Sequence, residues 1–210
     1  MKFKIVIFDM DGVIFENDNF WMKLHEALGT LHPGIELTEK YLKNDTKRLA
    51  DEVIGKLWKG KSSKSFFELI KNSRYNVGVK EAVSELKKRG VKTCILTSGP
   101  VQLAERAQKE LGIDFVYGNE IIIKDNIITG EYNWLSFDWD HKGEMVKRIC
   151  KEHNIDINDT VVVGDNEQDI FKARVAGLSV AFNSKSEKLK KECSHFVDGN
   201  DLREILIWIV

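Results

Sequence analysis

The sequence predicts an α/β fold: a parallel sheet core with an all-helical block inserted behind the first strand. Three observations predict it. Over 78–210, short continuous apolar runs alternate with amphipathic helices, the pattern of a parallel sheet covered on both faces. A further run of this kind, "IVIF" at 5–8, stands alone near the start. Between the two, residues 16–77 carry apolar side chains at three- and four-residue spacing and show no strand pattern. The expected division is a core of 1–15 and 78–210 around a helical insert of 16–77.

The elements follow in order. "FKIVIFD" is a strand, and "NFWMKLHEALGT", "LTEKYLKNDTKRLADEVIGKLW" and "SSKSFFELIKNS" make the helical block. "VKEAVSELKKRG" is an amphipathic helix closed by glycine, "VKTCILTSG" a strand, and "VQLAERAQKELG" a second glycine-closed helix. "FVYGNEIIIKDNIITGEY" reads as strands joined by a turn at Asp125-Asn126, forming either a small flap or an ordinary edge hairpin. Then come the helix "HKGEMVKRICKEHN", the strand "DTVVVGD", the helix "EQDIFKARVAG" and the strand "LSVAF". The helix "SEKLKKEC", the short strand "HFVD" and a last helix, "NDLREILIWI", end the series.

Composition limits the function. A formal net charge of −1 offers no field for nucleic acid or for an anionic membrane surface. No stretch has a signal-peptide layout, and no apolar run approaches the roughly 20 residues of a membrane span. Cys94, Cys150 and Cys193 are odd in number and widely spaced, so they form no metal pair. They suggest a reducing, cytoplasmic setting with the thiols buried as small apolar groups.

Ligands of such sheets bind outside the carboxyl ends of the strands, so the residue that ends each strand is informative. One strand ends on Asp9, another on Thr97-Ser98-Gly99, and a third on Gly164-Asp165, all expected on one edge. Asp9 and Asp11 lie two apart, which on extended chain aims both the same way. Two close carboxylates repel unless a cation lies between them, although an Asp-Gly turn is a plain alternative. Asp165 and Asp169 are about one helical turn apart, and Asp165 or Asn166 could equally be a helix N-cap. Four acids at one edge, with no Cys or His cluster, point to an oxygen-ligated Mg²⁺. Thr97, with the Ser98 and Gly99 amides, suits phosphate oxygens, while capping is the commoner use of such residues. Lys142, in "DHKGEM", is one of 32 basic residues and gains significance only from this setting.

Taken together, "DMDGV", "ILTSG", "HKGE" and "GDNEQD", in that order, resemble the haloacid dehalogenase superfamily and within it the phosphoserine-phosphatase-like branch. The resemblance implies a Rossmann-like core with a mobile helical cap inserted where 16–77 falls. It implies a Mg²⁺-dependent phosphatase acting on a small phosphomonoester. Asp9 would be the nucleophile that becomes an aspartyl-phosphate. Asp11 would protonate the leaving oxygen and then activate water. Thr97 would bind phosphoryl oxygens, and Lys142 would balance their charge. Asp9, the main-chain carbonyl of Asp11 and Asp165 would ligate the metal, with Asp169 holding its waters or Lys142.

Two departures from that branch change the floor of the pocket: Ser98-Gly99-Pro100 stands in place of a double glycine, and "NEQ" at 166–168 in place of Gly and Asn. The branch also grips an amino group with an early acid, for which Asp18 or Glu16 is available, and a carboxylate with a cap arginine, of which Arg48 and Arg74 are the two present. Asn166 joins Asp18 as a possible substrate contact. Trp21, Trp58, Phe66 and Phe67 sit at helical spacing as cap core or pocket lining. A phosphotransferase or phosphomutase would use the same residues. A non-catalytic phosphate-binding protein is the reading from another class. Asp11 argues against a dehalogenase.

Overall fold

A computed structural model describes residues 2–16, 19–135 and 141–209. Its centre is a seven-stranded sheet in the order β4-β3-β2-β1-β5-β6-β7. The strands are β1 (Ile5–Phe8), β2 (Lys92–Pro100), β3 (Phe115–Lys124), β4 (Ile127–Asn133), β5 (Thr160–Gly164), β6 (Leu178–Phe182) and β7 (His195–Val197). All neighbours are parallel except β3 and β4, which form an antiparallel hairpin at one edge. Both residues of its turn, Asp125 and Asn126, have positive φ (50° and 61°), the conformation of a two-residue turn matched to strand twist.

Strand β1 is buried on both faces because its alternate side chains enter two cores. Val6 and Phe8 pack with Ala82, Val83 and Leu86 of α5 (Val79–Lys88) and Leu103, Ala104 and Ala107 of α6 (Val101–Leu111). Ile5 and Ile7 pack with Val146, Ile149 and Cys150 of α7 (His141–Glu152). Because β2 and β5 flank β1 in parallel, Phe8 lies in register with Ile95 and Val163, and the carboxyl ends of the three strands open side by side.

The helical insert contains α1 (Phe20–Ala27), α2 (Leu31–Tyr41), α3 (Thr46–Glu52) and α4 (Lys64–Asn72). Its two connections meet the turn after β1. The Asn76 side-chain amide donates to the carbonyls of Gly12, Val13 and Phe15 at 3.0, 3.0 and 3.2 Å. The Phe15 ring stacks on Tyr75 with centroids 4.7 Å apart. The hairpin also meets the insert: Gly60 N donates to Ile128 O (2.8 Å), Ile128 N to Lys61 O (2.9 Å) and Ser63 N to Asn126 O (2.8 Å).

Three expected helices differ in detail. "LTEKYLKNDTKRLADEVIGKLW" is interrupted where the Asp45 carboxylate caps the Arg48 amide and starts α3, and it ends in a π turn at Val53–Leu57. "EQDIFKARVAG" is a 3₁₀ turn (Glu167–Asp169) followed by the short α8 (Ile170–Ala173), because Asn166 and Asp169 cap each other reciprocally. The last element, Leu202–Trp208, is a 3₁₀ helix. Between β6 and β7 lies α9 (Glu187–Glu192). No described helix is long and apolar enough to cross a membrane.

Candidate active site

The chain leaves β1 at Asp9, a residue 4% exposed whose amide still bonds Val163 O (2.9 Å). Asp11 is not on the strand. It sits in the turn that follows, where the Ile14 and Phe15 amides both return to Met10 O. Gly12 permits that turn with φ +80°, and a Cβ there would fall 2.1 Å from the Asp165 carboxylate. Asp165 therefore lies directly against the first loop. Asp9 and Asp11 line one cavity of about 330 Å³ together with Thr97, Ser98, Gly99, Lys142 and Asn166, so segments distant in sequence converge as expected.

Lys142, at the start of α7, is buried, with Nζ 3.1 Å from Asp9 Oδ1 and 2.9 Å from Asp169 Oδ1. Asp169 Oδ1 also takes Lys172 Nζ at 3.0 Å, while Oδ2 accepts the amides of Asp165 (2.9 Å) and Asn166 (3.2 Å). Its oxygens lie within 4.8 Å of those of Asp9 and Asp165, which could make it a third metal ligand on distance alone. Four donors already occupy its acceptor positions, so its chemistry is that of an anchor for lysines and loop. The Asn166 side chain donates to Asp165 Oδ1 (2.8 Å) and accepts from Gln168 N (2.9 Å), so it orients Asp165 at the cavity rim.

Electrostatics follow from this packing. Burial, then the charges of Asp9 and Asp169, push the Asp165 carboxyl up to about 7. Asp9 is likewise raised, by burial and by Asp169, against the pull of Lys142 and Lys172. At Asp169 burial works upward, yet the two lysines outweigh it and hold the carboxyl well below the usual range. Burial alone would lower Lys142, but Asp169 and Asp9 together keep it above its ordinary value. The four acids and two lysines leave a formal excess of two negative charges, the charge of one divalent cation.

At the end of β2, the Thr97 hydroxyl accepts the Gly99 amide (2.8 Å). The amide of Gly99, expected to face a phosphate, is thus engaged by Thr97. A Cβ at Gly99 would stand 2.6 Å from the Met10 side chain and 3.2 Å from the Asp11 carboxylate. The Ser98 carbonyl accepts the Trp21 indole (3.1 Å) and the Asn119 amide (2.8 Å), which ties the insert and β3 to this loop.

The expected substrate contacts are distributed differently. Asp18 lies outside the described residues. Glu16 pairs with Arg74 (2.8 Å), and Arg48 lies over the Tyr41 ring at 5.0 Å; none of the three lines the cavity. Trp21 and Trp58 do line it, whereas Phe66 is core and Phe67 is exposed. Two buried residues escaped the sequence reading. Lys172 was detectable as the residue three beyond Asp169 on a helical face, but nothing set it apart from other lysines. Asn119 occupies a strand interior, where an amide is unusual.

A family model of haloacid dehalogenase-like hydrolases matches residues 3–177. A phosphoserine phosphatase of Methanocaldococcus jannaschii is 30% identical over 211 residues, covering 99% of this chain and 98% of that protein. A solved structure of a phospho-aspartyl intermediate analogue of phosphoserine phosphatase aligns over 100% of both chains with a TM-score of 0.84 and 29% identity. A substrate-bound phosphoserine phosphatase complex aligns equally fully, with a TM-score of 0.85 and 27% identity.

Proposed function

The chain belongs to the haloacid dehalogenase-like hydrolases and is a phosphoric monoester hydrolase; from that premise we propose that it is a Mg²⁺-dependent phosphatase that cleaves a small phosphomonoester through an aspartyl-phosphate on Asp9. The observation that carries this reading is the buried Asp9 carboxylate at the carboxyl end of β1, held by Lys142 and opening on the cavity that Asp11 and Thr97 also line.

The donor set suits the metal. Asp9, Asp165 and the main-chain carbonyl of Asp11 would hold it, all hard oxygen donors, and the raised Asp165 carboxyl marks negative charge that a cation would stabilise. Bound Mg²⁺ supplies neutralisation of the phosphoryl oxygens and of the carboxylates around them. The remaining work belongs to the chain. An Asp9 oxygen bonds to phosphorus as the ester P–O bond breaks, and the leaving oxygen takes the Asp11 proton to depart as an alcohol. The Asp11 carboxylate then takes a proton from water, whose oxygen bonds to phosphorus as the Asp9–phosphorus bond breaks. Inorganic phosphate leaves. Lys142 offsets the charge on Asp9 and the phosphoryl group, and Asp169 with Lys172 fixes its position. Because Thr97 Oγ1 already accepts the Gly99 amide, its own proton is available for a phosphoryl oxygen. Charge neutralisation and alignment are what phosphoryl transfer requires.

Hydrolysis of p-nitrophenyl phosphate tests the reading. Turnover should require Mg²⁺, stop on chelation and fall below detection in Asp9→Asn. Full activity in Asp9→Asn would overturn the assignment.

A further inference from the structure

Strands β2 and β3 keep parallel register as far as Leu96 opposite Tyr117 and resume it at Pro100 opposite Asn119, so residues 97–99 stand against Gly118 alone. A bulge of this kind takes main-chain groups out of the ladder, and side chains can then satisfy them. The strands approach closely here, since a Cβ at Gly118 would lie 3.0 Å from Thr97 Cγ2 and 3.1 Å from Val101 Cα. Asn119, 2% exposed, follows Gly118 and reaches back to the bulge. Its Nδ2 donates to Ser98 O (2.8 Å) and its Oδ1 accepts the Leu135 amide (2.9 Å), so both ends of the side chain are fixed.

The oxygen of Ser98 and the amide of Gly99 belong to one planar trans peptide and point opposite ways. On its oxygen side this unit takes Asn119 and, from α1 of the insert, the Trp21 indole at 3.1 Å. On its nitrogen side it donates to Thr97 Oγ1 at 2.8 Å. Donors on the carbonyl polarise the peptide and strengthen the bond its N–H makes. That bond occupies a lone pair of the Thr97 hydroxyl and restricts the directions left to its proton, and Thr97 lines the cavity.

We propose that Asn119 and Trp21 are positioning residues for phosphoryl binding: they hold the Ser98–Gly99 peptide so that the Gly99 amide sets the Thr97 hydroxyl to donate to a phosphoryl oxygen. This rests on the phosphatase reading above and adds how its grip on phosphate is set. The effect of both residues runs through the peptide, not through contact with the substrate. Were the peptide to turn, the Gly99 amide would leave Thr97 and the hydroxyl would lose the bond that aims its proton. Trp21 packs near Trp58 of the insert (ring centroids 6.0 Å apart), so the insert supplies one of the two donors and the grip depends on where the insert sits.

The test is a double-mutant cycle on the Mg²⁺-loaded protein, reading kcat/KM for p-nitrophenyl phosphate and O-phospho-L-serine, with deuterium exchange of the Gly99 amide followed by NMR on the unliganded chains. Asn119→Ala and Trp21→Phe should each speed Gly99 exchange and lower kcat/KM about tenfold, the scale of a hydrogen bond to a charged group. In a Thr97→Val background the same substitutions should change kcat/KM by less than about twofold, because the group they aim is gone. A role confined to folding would lower activity equally in both backgrounds. Trp21→Phe removes the indole N–H and keeps an aromatic ring, so it carries the test if Asn119→Ala does not fold. Equal losses in both backgrounds, or Gly99 exchange unchanged by the substitutions, overturn the positioning role while leaving a phosphatase. A wild-type protein that releases phosphate from neither ester overturns the phosphatase reading and the positioning role with it.

Discussion

A lysine held at 0% exposure needs an opposite charge and hydrogen-bond acceptors, and Lys172 has Asp169 Oδ1 at 3.0 Å and Val163 O at 2.9 Å. It shares Asp169 with Lys142, so the position of the lysine beside Asp9 depends on a cation that never lines the cavity. Lys172→Met keeps the chain length but leaves Asp169 with one ammonium and Val163 O with the Asp9 amide as its remaining donor. Loss of one partner from a buried pair costs about 3 kcal/mol, read as a lower urea midpoint with an unchanged slope, and activity should fall with it. At this scale the sequence was readable where a polar residue ends an apolar strand, as Asp9, Thr97 and Asp165 do. Lys172 was not, because a lysine three residues from an aspartate is ordinary on any exposed helix and only tertiary burial separates it from the rest. The acceptor saturation of Asp169 also needed coordinates, since spacing cannot count donors.

The β3–β4 hairpin joins two layers. Its turn lies at the sheet edge, and its backbone bonds to Gly60, Lys61 and Ser63 of the insert. The Tyr132 hydroxyl adds a bond to Asp51 Oδ1 of α3 (2.5 Å). These contacts make the hairpin and the insert open together if they open at all. The amides of Gly60, Ser63 and Ile128 should therefore exchange with solvent deuterium at one shared opening free energy, measured by NMR. Widely different values would mean separate local openings. The turn at Asp125-Asn126 was readable from residue chemistry, for both residues tolerate positive φ. Its attachment to the insert was not, because main-chain bonds between distant segments leave no side-chain pattern.

Across the whole molecule, the order of strands and helices was readable because a sheet covered on both faces demands continuous apolar runs, and the site edge followed from what ended them. The cavity wall was hidden. Trp58 and Leu49 recur at the same helical spacing whether they face a core or a ligand. Global stability should carry a signature of His25, which the fold keeps neutral down to about pH 4 while the unfolded chain takes a proton near its ordinary 6.5. The unfolded state then binds more protons between these values, so stability is lost as pH falls through that window. Urea midpoints should drop from pH 7 to pH 4, and His25→Phe should flatten the slope; equal slopes would exclude this residue as a cause. Both ends of the insert are stitched by Asn76 and the Phe15–Tyr75 stack to the loop that carries Asp11, the proposed proton donor. A swing of the insert would therefore have its fulcrum inside that loop, so that shutting the chamber and cocking the acid become a single mechanical stroke.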